Sequence, residues 1–78
     1  AVMPNPSSTN FRIAVSSKDL KEPVKIIVSD MVGRIIETRI TYAGEIEAIG
    51  DKYRSGTYAV RIIQGKKIRQ LKLIKISD

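Results

Sequence analysis

The chain contains no cysteine, no histidine and no tryptophan. Disulfides, thiol nucleophiles, imidazole bases and the usual zinc sites are therefore excluded, and stability has to come from packed apolar side chains. Leucine is scarce as well: Leu20, Leu71 and Leu73 stand against nineteen Val and Ile among thirty-three hydrophobic residues. Branching at Cβ restricts χ1 against a preceding helical turn but suits a pleated surface, so the bias points to an all-β chain. No apolar run approaches the length of a membrane span, and AVMPNPSS lacks the basic and apolar regions of a signal peptide. Acidic charge is missing from one region. Residues 52–77 hold eight basic side chains and no carboxylate, whereas residues 1–51 hold six basic and seven acidic ones. The net charge of +6 thus belongs to the final third.

Seventy-eight residues make one domain, near the lower size at which a core can be buried without a metal or a disulfide. A start at Ala rather than Met suggests a processed chain or a piece of a longer one, with any targeting signal further upstream.

The apolar residues recur with strand periodicity. After a short strand at Ala1–Met3, PNPSSTN joins two prolines to turn-forming Asn and Ser and reads as a surface connection. Phe11, Ile13 and Val15 alternate with Arg12, Ala14 and Ser16 as in a half-buried strand. A polar loop follows, with Leu20 as its apolar plug. Val24, Ile26 and Val28 form the inward phase of the next strand, and Ile36, Thr38 and Ile40 share a face of the one after it. Between them SDMVGR predicts a tight hairpin: Asp30 accepts from backbone N–H groups, and Gly33 supplies the positive φ of a type I turn with a bulge. Tyr42-Ala43-Gly44 is a turn, EIEAI a short strand with Ile46 and Ile49 inward, and GDKYRSG a connection bounded by Gly50 and Gly56. Tyr58, Val60 and Ile62 then alternate with Ala59, Arg61 and Ile63. In KIRQLKLIK, Ile68 and Leu71 are three apart, which predicts a bulge near Arg69-Gln70 that returns Leu71 and Leu73 to the core. Six or seven short strands punctuated every eight to twelve residues read as an antiparallel sandwich.

No catalytic constellation emerges. Glu45 and Glu47 share a strand face, but their spacing specifies neither a metal nor a substrate, and a wet outward face is the ordinary fate of such positions. The serines have only lysines as activators, and Ser17-Lys18 lies in a loop. The basic third is a nucleic-acid candidate, yet single-strand binders stack bases on exposed aromatics, and Phe11 and Tyr58 fall on inward faces. Arg61, Lys67, Arg69 and Lys72 are better read as the solvent side of a sheet, where they also discourage edge-to-edge aggregation.

Three segments, in order and at these spacings, resemble one family. PNPSS (Pro4, Asn5 and Pro6), VKIIVSDMVGRII (Asp30, Gly33 and Arg34) and YRSGTYAVRIIQGKKIRQLKLIK (Ser55, Gly56, Tyr58, Lys72 and Lys75) are similar to the type A C-terminal sorting domain of the Bacteroidetes type IX, or Por, secretion system. Met31 stands where the family usually has Leu, Ser29 where an aromatic is common, and Ile76-Ser77-Asp78 run slightly past the expected terminus. The resemblance implies an immunoglobulin-like sandwich of about seven strands without activity or cofactor of its own. It implies a carboxy-terminal address on a secreted cargo, carried through the periplasm and recognised by the outer-membrane translocation machinery. The domain is then typically removed by a sortase-like cysteine peptidase that leaves the cargo at the cell surface, with the cut near or before Ala1. The terminal strands are expected to form a hairpin whose basic side and free edge are read, with Gly56 and Gly65 fixing register. An immunoglobulin-like accessory module contacting carbohydrate through Tyr42 and Tyr53 is the alternative. Neither a nucleic acid nor a transmembrane segment is expected.

Overall fold

The computed structural model describes residues 2–3, 10–15 and 17–76. Seven strands run through these residues: β1 (Val2–Met3), β2 (Phe11–Ala14), β3 (Val24–Asp30), β4 (Ile35–Thr41), β5 (Ile46–Ile49), β6 (Gly56–Gln64) and β7 (Lys67–Lys75). The described residues contain no helix, in keeping with the Val and Ile bias. All pairings are antiparallel, in a three-stranded sheet ordered β1-β2-β5 and a four-stranded sheet ordered β4-β3-β6-β7. The chain passes from β2 into the larger sheet for the β3–β4 hairpin, returns for β5, and crosses again for the β6–β7 hairpin. The two inner faces meet in one core. Phe11, Ile13 and Ile49 pack against Val24, Ile26, Val28, Val60, Ile62 and Leu73, which makes the molecule the β-sandwich that the alternation implies. Each such side chain, fully buried, contributes about 1.5–3 kcal/mol of transfer free energy.

The β3–β4 turn forms as its residues dictate. The Asp30 N–H donates to the Arg34 carbonyl (2.9 Å) and the Gly33 N–H to the Asp30 carbonyl (3.1 Å), closing Met31-Val32-Gly33 as a three-residue loop. Gly33 has φ of +95°, a conformation that costs a Cβ-bearing residue roughly 1–2 kcal/mol. Asp30 Oδ1 accepts from the N–H groups of Val32 (3.0 Å) and Arg34 (2.9 Å), and Arg34 Nε donates to Asp30 Oδ2 (3.1 Å). Those backbone donors hold the Asp30 carboxyl below its ordinary pKa.

Four sequence expectations are overturned. On β4 the inward residues are Glu37, Arg39 and Thr41, paired with Val28, Ile26 and Val24, while Ile36 and Ile40 are exposed. The cause is a register shift between Val28 and Ser29, which sets Ser29 against Ile35 and leaves Ile36 as the extra residue. On β5 the register Ile13↔Glu47 turns Glu47 inward with Ile49 and leaves Ile46 outside. On β7 there is no bulge, because pairing with β6 continues unbroken from Gly56↔Lys75 to Gln64↔Lys67. Ile68 simply faces outward opposite Ile63, an apolar cross-strand pair that removes the need for a phase correction. Leu20 is exposed rather than a plug. Its loop is held by polar contacts instead: Asp19 Oδ1 accepts from the N–H groups of Lys21 and Glu22, both at 3.0 Å, and Gln64 Nε2 donates to the Asp19 (2.9 Å) and Glu22 (3.0 Å) carbonyls.

Candidate functional site

The terminal hairpin is the longest paired unit, with nine residues in each strand. Gly65 stands first in its two-residue turn with φ of +59°, the position that a II′ hairpin turn reserves for glycine. No register shift interrupts the ladder. β7 is an edge of the four-stranded sheet, so one side of its backbone has no strand neighbour among the described residues.

The motif residues divide into builders and surface groups. Ser55 and Gly56 lie at the start of β6 and are exposed, and they deliver Tyr58 into the core. The Tyr58 hydroxyl donates back to the Arg54 carbonyl (2.7 Å), a tyrosine corner of the sort that locks the crossing into the penultimate strand of immunoglobulin-like sandwiches. Asp30 and Gly33 build the β3–β4 turn, whereas the Arg34 side chain is 79% exposed. Lys72 faces solvent on the outer side of β7. Lys75 does not. Its side chain is buried, and its ammonium donates to the Gly50 carbonyl, tying the end of β7 to the β5–β6 connection. Pro4, Asn5 and Pro6 lie outside the described residues.

Gly50 itself is fixed by a close approach. It has φ of +88°, and a Cβ there would sit 2.9 Å from Phe11 Cδ2 and 3.3 Å from Tyr53 Cδ2. The Tyr53 ring packs against Tyr58 with centroids 4.9 Å apart, and its hydroxyl donates to Glu37 Oε1 (2.6 Å). Burial, reinforced by this hydrogen bond to a carboxylate, pushes the Tyr53 phenol far above its ordinary pKa. Glu37 Oε2 accepts from Arg39 Nε (2.6 Å), and an Arg39 terminal nitrogen reaches Glu47 Oε1 at 3.4 Å. The Glu37 hydrogen bond raises the Arg39 pKa further above its ordinary value. The sequence signal for this cluster was present in the second phase of RIIETRIT, where Glu37, Arg39 and Thr41 alternate as cleanly as the isoleucines do. Inward charges on an edge strand are a known protection against further pairing, and hydrophobicity alone selects the wrong phase.

The four basic residues assigned to one wet side fall on two. Arg61 and Lys72 face outward, whereas Lys67 and Arg69 follow the inner phase beyond the reach of the smaller sheet. There they border a small open groove of about 80 Å³ with Val15, Ser17, Ile62 and Gln64. The Ser17 hydroxyl is engaged, donating to Gln64 Oε1 (2.7 Å). Glu45 and Glu47 diverge, the former accepting from the Thr41 hydroxyl at 3.4 Å and the latter turning toward Arg39. No cluster of metal-ligating side chains occurs among the described residues, and no helix among them is long and apolar enough to cross a membrane. Of the four aromatics, Phe11, Tyr53 and Tyr58 are buried, which leaves Tyr42 as an exposed ring.

Comparison of the chain with curated proteins and with solved structures gave no match. The family described as the secretion system C-terminal sorting domain does match, over residues 1–76. That span takes in every motif and every strand described above, and the chain belongs to the type IX secretion C-terminal sorting domain family.

Proposed function

We propose that these seventy-eight residues are the non-catalytic C-terminal sorting signal of a larger secreted protein, read by the outer-membrane type IX machinery through the β6–β7 hairpin. The family match over residues 1–76 carries the reading. Support for the hairpin as the read element comes from its unbroken register, the edge position of β7 and the confinement of unbalanced positive charge to residues 52–77. A regular strand edge offers backbone donors and acceptors to an incoming strand, and exposed cations accelerate encounter with an acidic receptor. After export a sortase-like cysteine peptidase cuts upstream of the fold and releases the cargo at the cell surface. The carbohydrate-module alternative loses one of its two stacking rings, because Tyr53 is inside the fold.

The test fuses Ala1–Asp78 to a periplasmic reporter in a type IX-competent cell. Export of the reporter, and its loss when Leu71–Asp78 are removed, is the expected result. Retention of the intact fusion in the periplasm would sink the proposal. Cleavage is followed separately by the mass of the exported reporter, which should lack the domain.

A further inference from the structure

The outer face of the four-stranded sheet is unusual for a face turned to solvent. The registers assemble it in rows: Ile40, Lys25, Ile63 and Ile68 in one, Thr38, Ile27, Arg61 and Gln70 in the next, then Ile35, Ser29, Ala59 and Lys72, and finally Thr57 and Ile74. The first row crosses all four strands, roughly 15 Å at ordinary strand spacing. Ile40 is 59% and Ile68 57% exposed at its two ends, with Ile63 partly exposed between them. Every charge on the face is positive. Lys25 and Arg61 stand on the two central strands, and no carboxylate occurs among these positions.

From this face we infer that the sorting domain docks a protein surface that is apolar and studded with carboxylates, laid across all four strands rather than against the terminal hairpin alone. The inference rests on the sorting reading and specifies the chemistry of the partner. The isoleucines call for an apolar counterpart, since exposed large apolar side chains gathered on one face favour an interaction site there. The acid-free cations demand negative charge opposite them. Two other occupants fit less well. A second copy using the same face would bring together two faces whose charged positions are all positive. A lipid surface is met by elements that carry Trp, Phe or Leu on the buried side and cations on the other, whereas here the cations sit in the middle of a flat face without an aromatic ring.

The experiment measures export of the reporter fusion in a type IX-competent cell, with the melting temperature of each purified domain as a check on folding. Lys25→Glu with Arg61→Glu should lower export about tenfold or more, and Lys25→Gln with Arg61→Gln should lower it less, as expected when carboxylates face them. Ile40→Thr with Ile68→Thr keeps β-branching at exposed sites and should also reduce export. Arg12→Glu, on the outer face of the smaller sheet, should leave it unchanged. Wild-type export by all the face variants overturns the inference while leaving the sorting reading intact. Failure of the parent fusion to be exported removes the sorting reading and this inference with it. If the purified chain co-sediments with phosphatidylcholine–phosphatidylglycerol vesicles and the Glu variants do not, the partner is a lipid surface. If it sediments as a dimer that Ile40→Thr with Ile68→Thr dissociates, the partner is a second copy. Either outcome refutes a protein receptor at this face.

Discussion

The two hairpins of the larger sheet have similar sequence patterns and opposite designs. β3–β4 turns through three residues, carries a bulge at Ile35–Ile36, and sends Glu37 and Arg39 inward from its edge strand. β6–β7 turns through two residues, runs without interruption and ends with Leu73 and Lys75 buried. The first edge is irregular and pinned by ions to the smaller sheet; the second is straight and regular. A bulged strand with inward charges is a poor template for further pairing, while a regular one is a good template. The same sheet therefore closes one edge and leaves the other able to accept a strand, which is why the sorting reading is centred on β7.

The largest effect that would test this contrast is in the core. Leu73→Ala on β7 should destabilise the domain by about 2–5 kcal/mol in denaturant unfolding, whereas Ile40→Ala on β4 should cost about 0.5 kcal/mol or less, because Ile40 packs against nothing deep. Equal costs would show that the two edges share the core alike. Gly33→Val should cost about 1–3 kcal/mol through the strained turn, and it should speed amide exchange in β3–β4 before β6–β7. Tyr53→Phe removes the hydroxyl that reaches Glu37 and should cost about 1–2 kcal/mol. In the parent domain the Tyr53 pKa is raised by folding, so its contribution is complete below the ordinary tyrosine value of 10.0 and is lost as pH rises beyond it. Alkaline unfolding should therefore begin above about pH 10 and shift in Tyr53→Phe, as followed by circular dichroism.

Acid reads the β3–β4 turn and the β2–β3 loop. Asp30 caps the β3–β4 turn, and Asp19 holds the loop against Gln64 at the far end of β6; backbone N–H donors depress both pKa values. A depressed carboxylate adds stability above its unfolded pKa and loses it as pH falls through the folded one, so the melting temperature should decline below about pH 4. Asp30→Asn and Asp19→Asn should each flatten part of that decline. Arg34→Ala is the smallest expected change, about 0.5 kcal/mol or less, because its ion pair with Asp30 is exposed.

Alternation placed Phe11, Ile13, Val24, Ile26, Val28, Tyr58, Val60 and Ile62 in the core, and each is buried. Asp30 and Gly33 announced their turn because a side-chain acceptor and a positive φ are local requirements. Ser55, Gly56 and Tyr58 announced a motif, but only the fold reveals that Tyr58 closes a corner onto Arg54. The failures on β4 and β5 share one cause. RIIETRIT alternates in two phases, and IEAI contains both an exposed and a buried isoleucine, so short edge strands do not state which face they bury.

The sequence by itself determined the class, the main strands, the tight turns and the family, because strand periodicity, positive-φ positions and ordered short motifs are properties of neighbouring residues. Tertiary structure alone decided the rest. It turned Glu37, Arg39 and Glu47 inward, buried Lys75 beneath Gly50, split the basic residues between two faces and gathered scattered isoleucines and cations into one acid-free surface. Each of these depends on which residue of one strand lies opposite which residue of another. A single-residue change in register reverses every side chain of a strand, and that register is set by turns, bulges and packing between residues far apart in the chain.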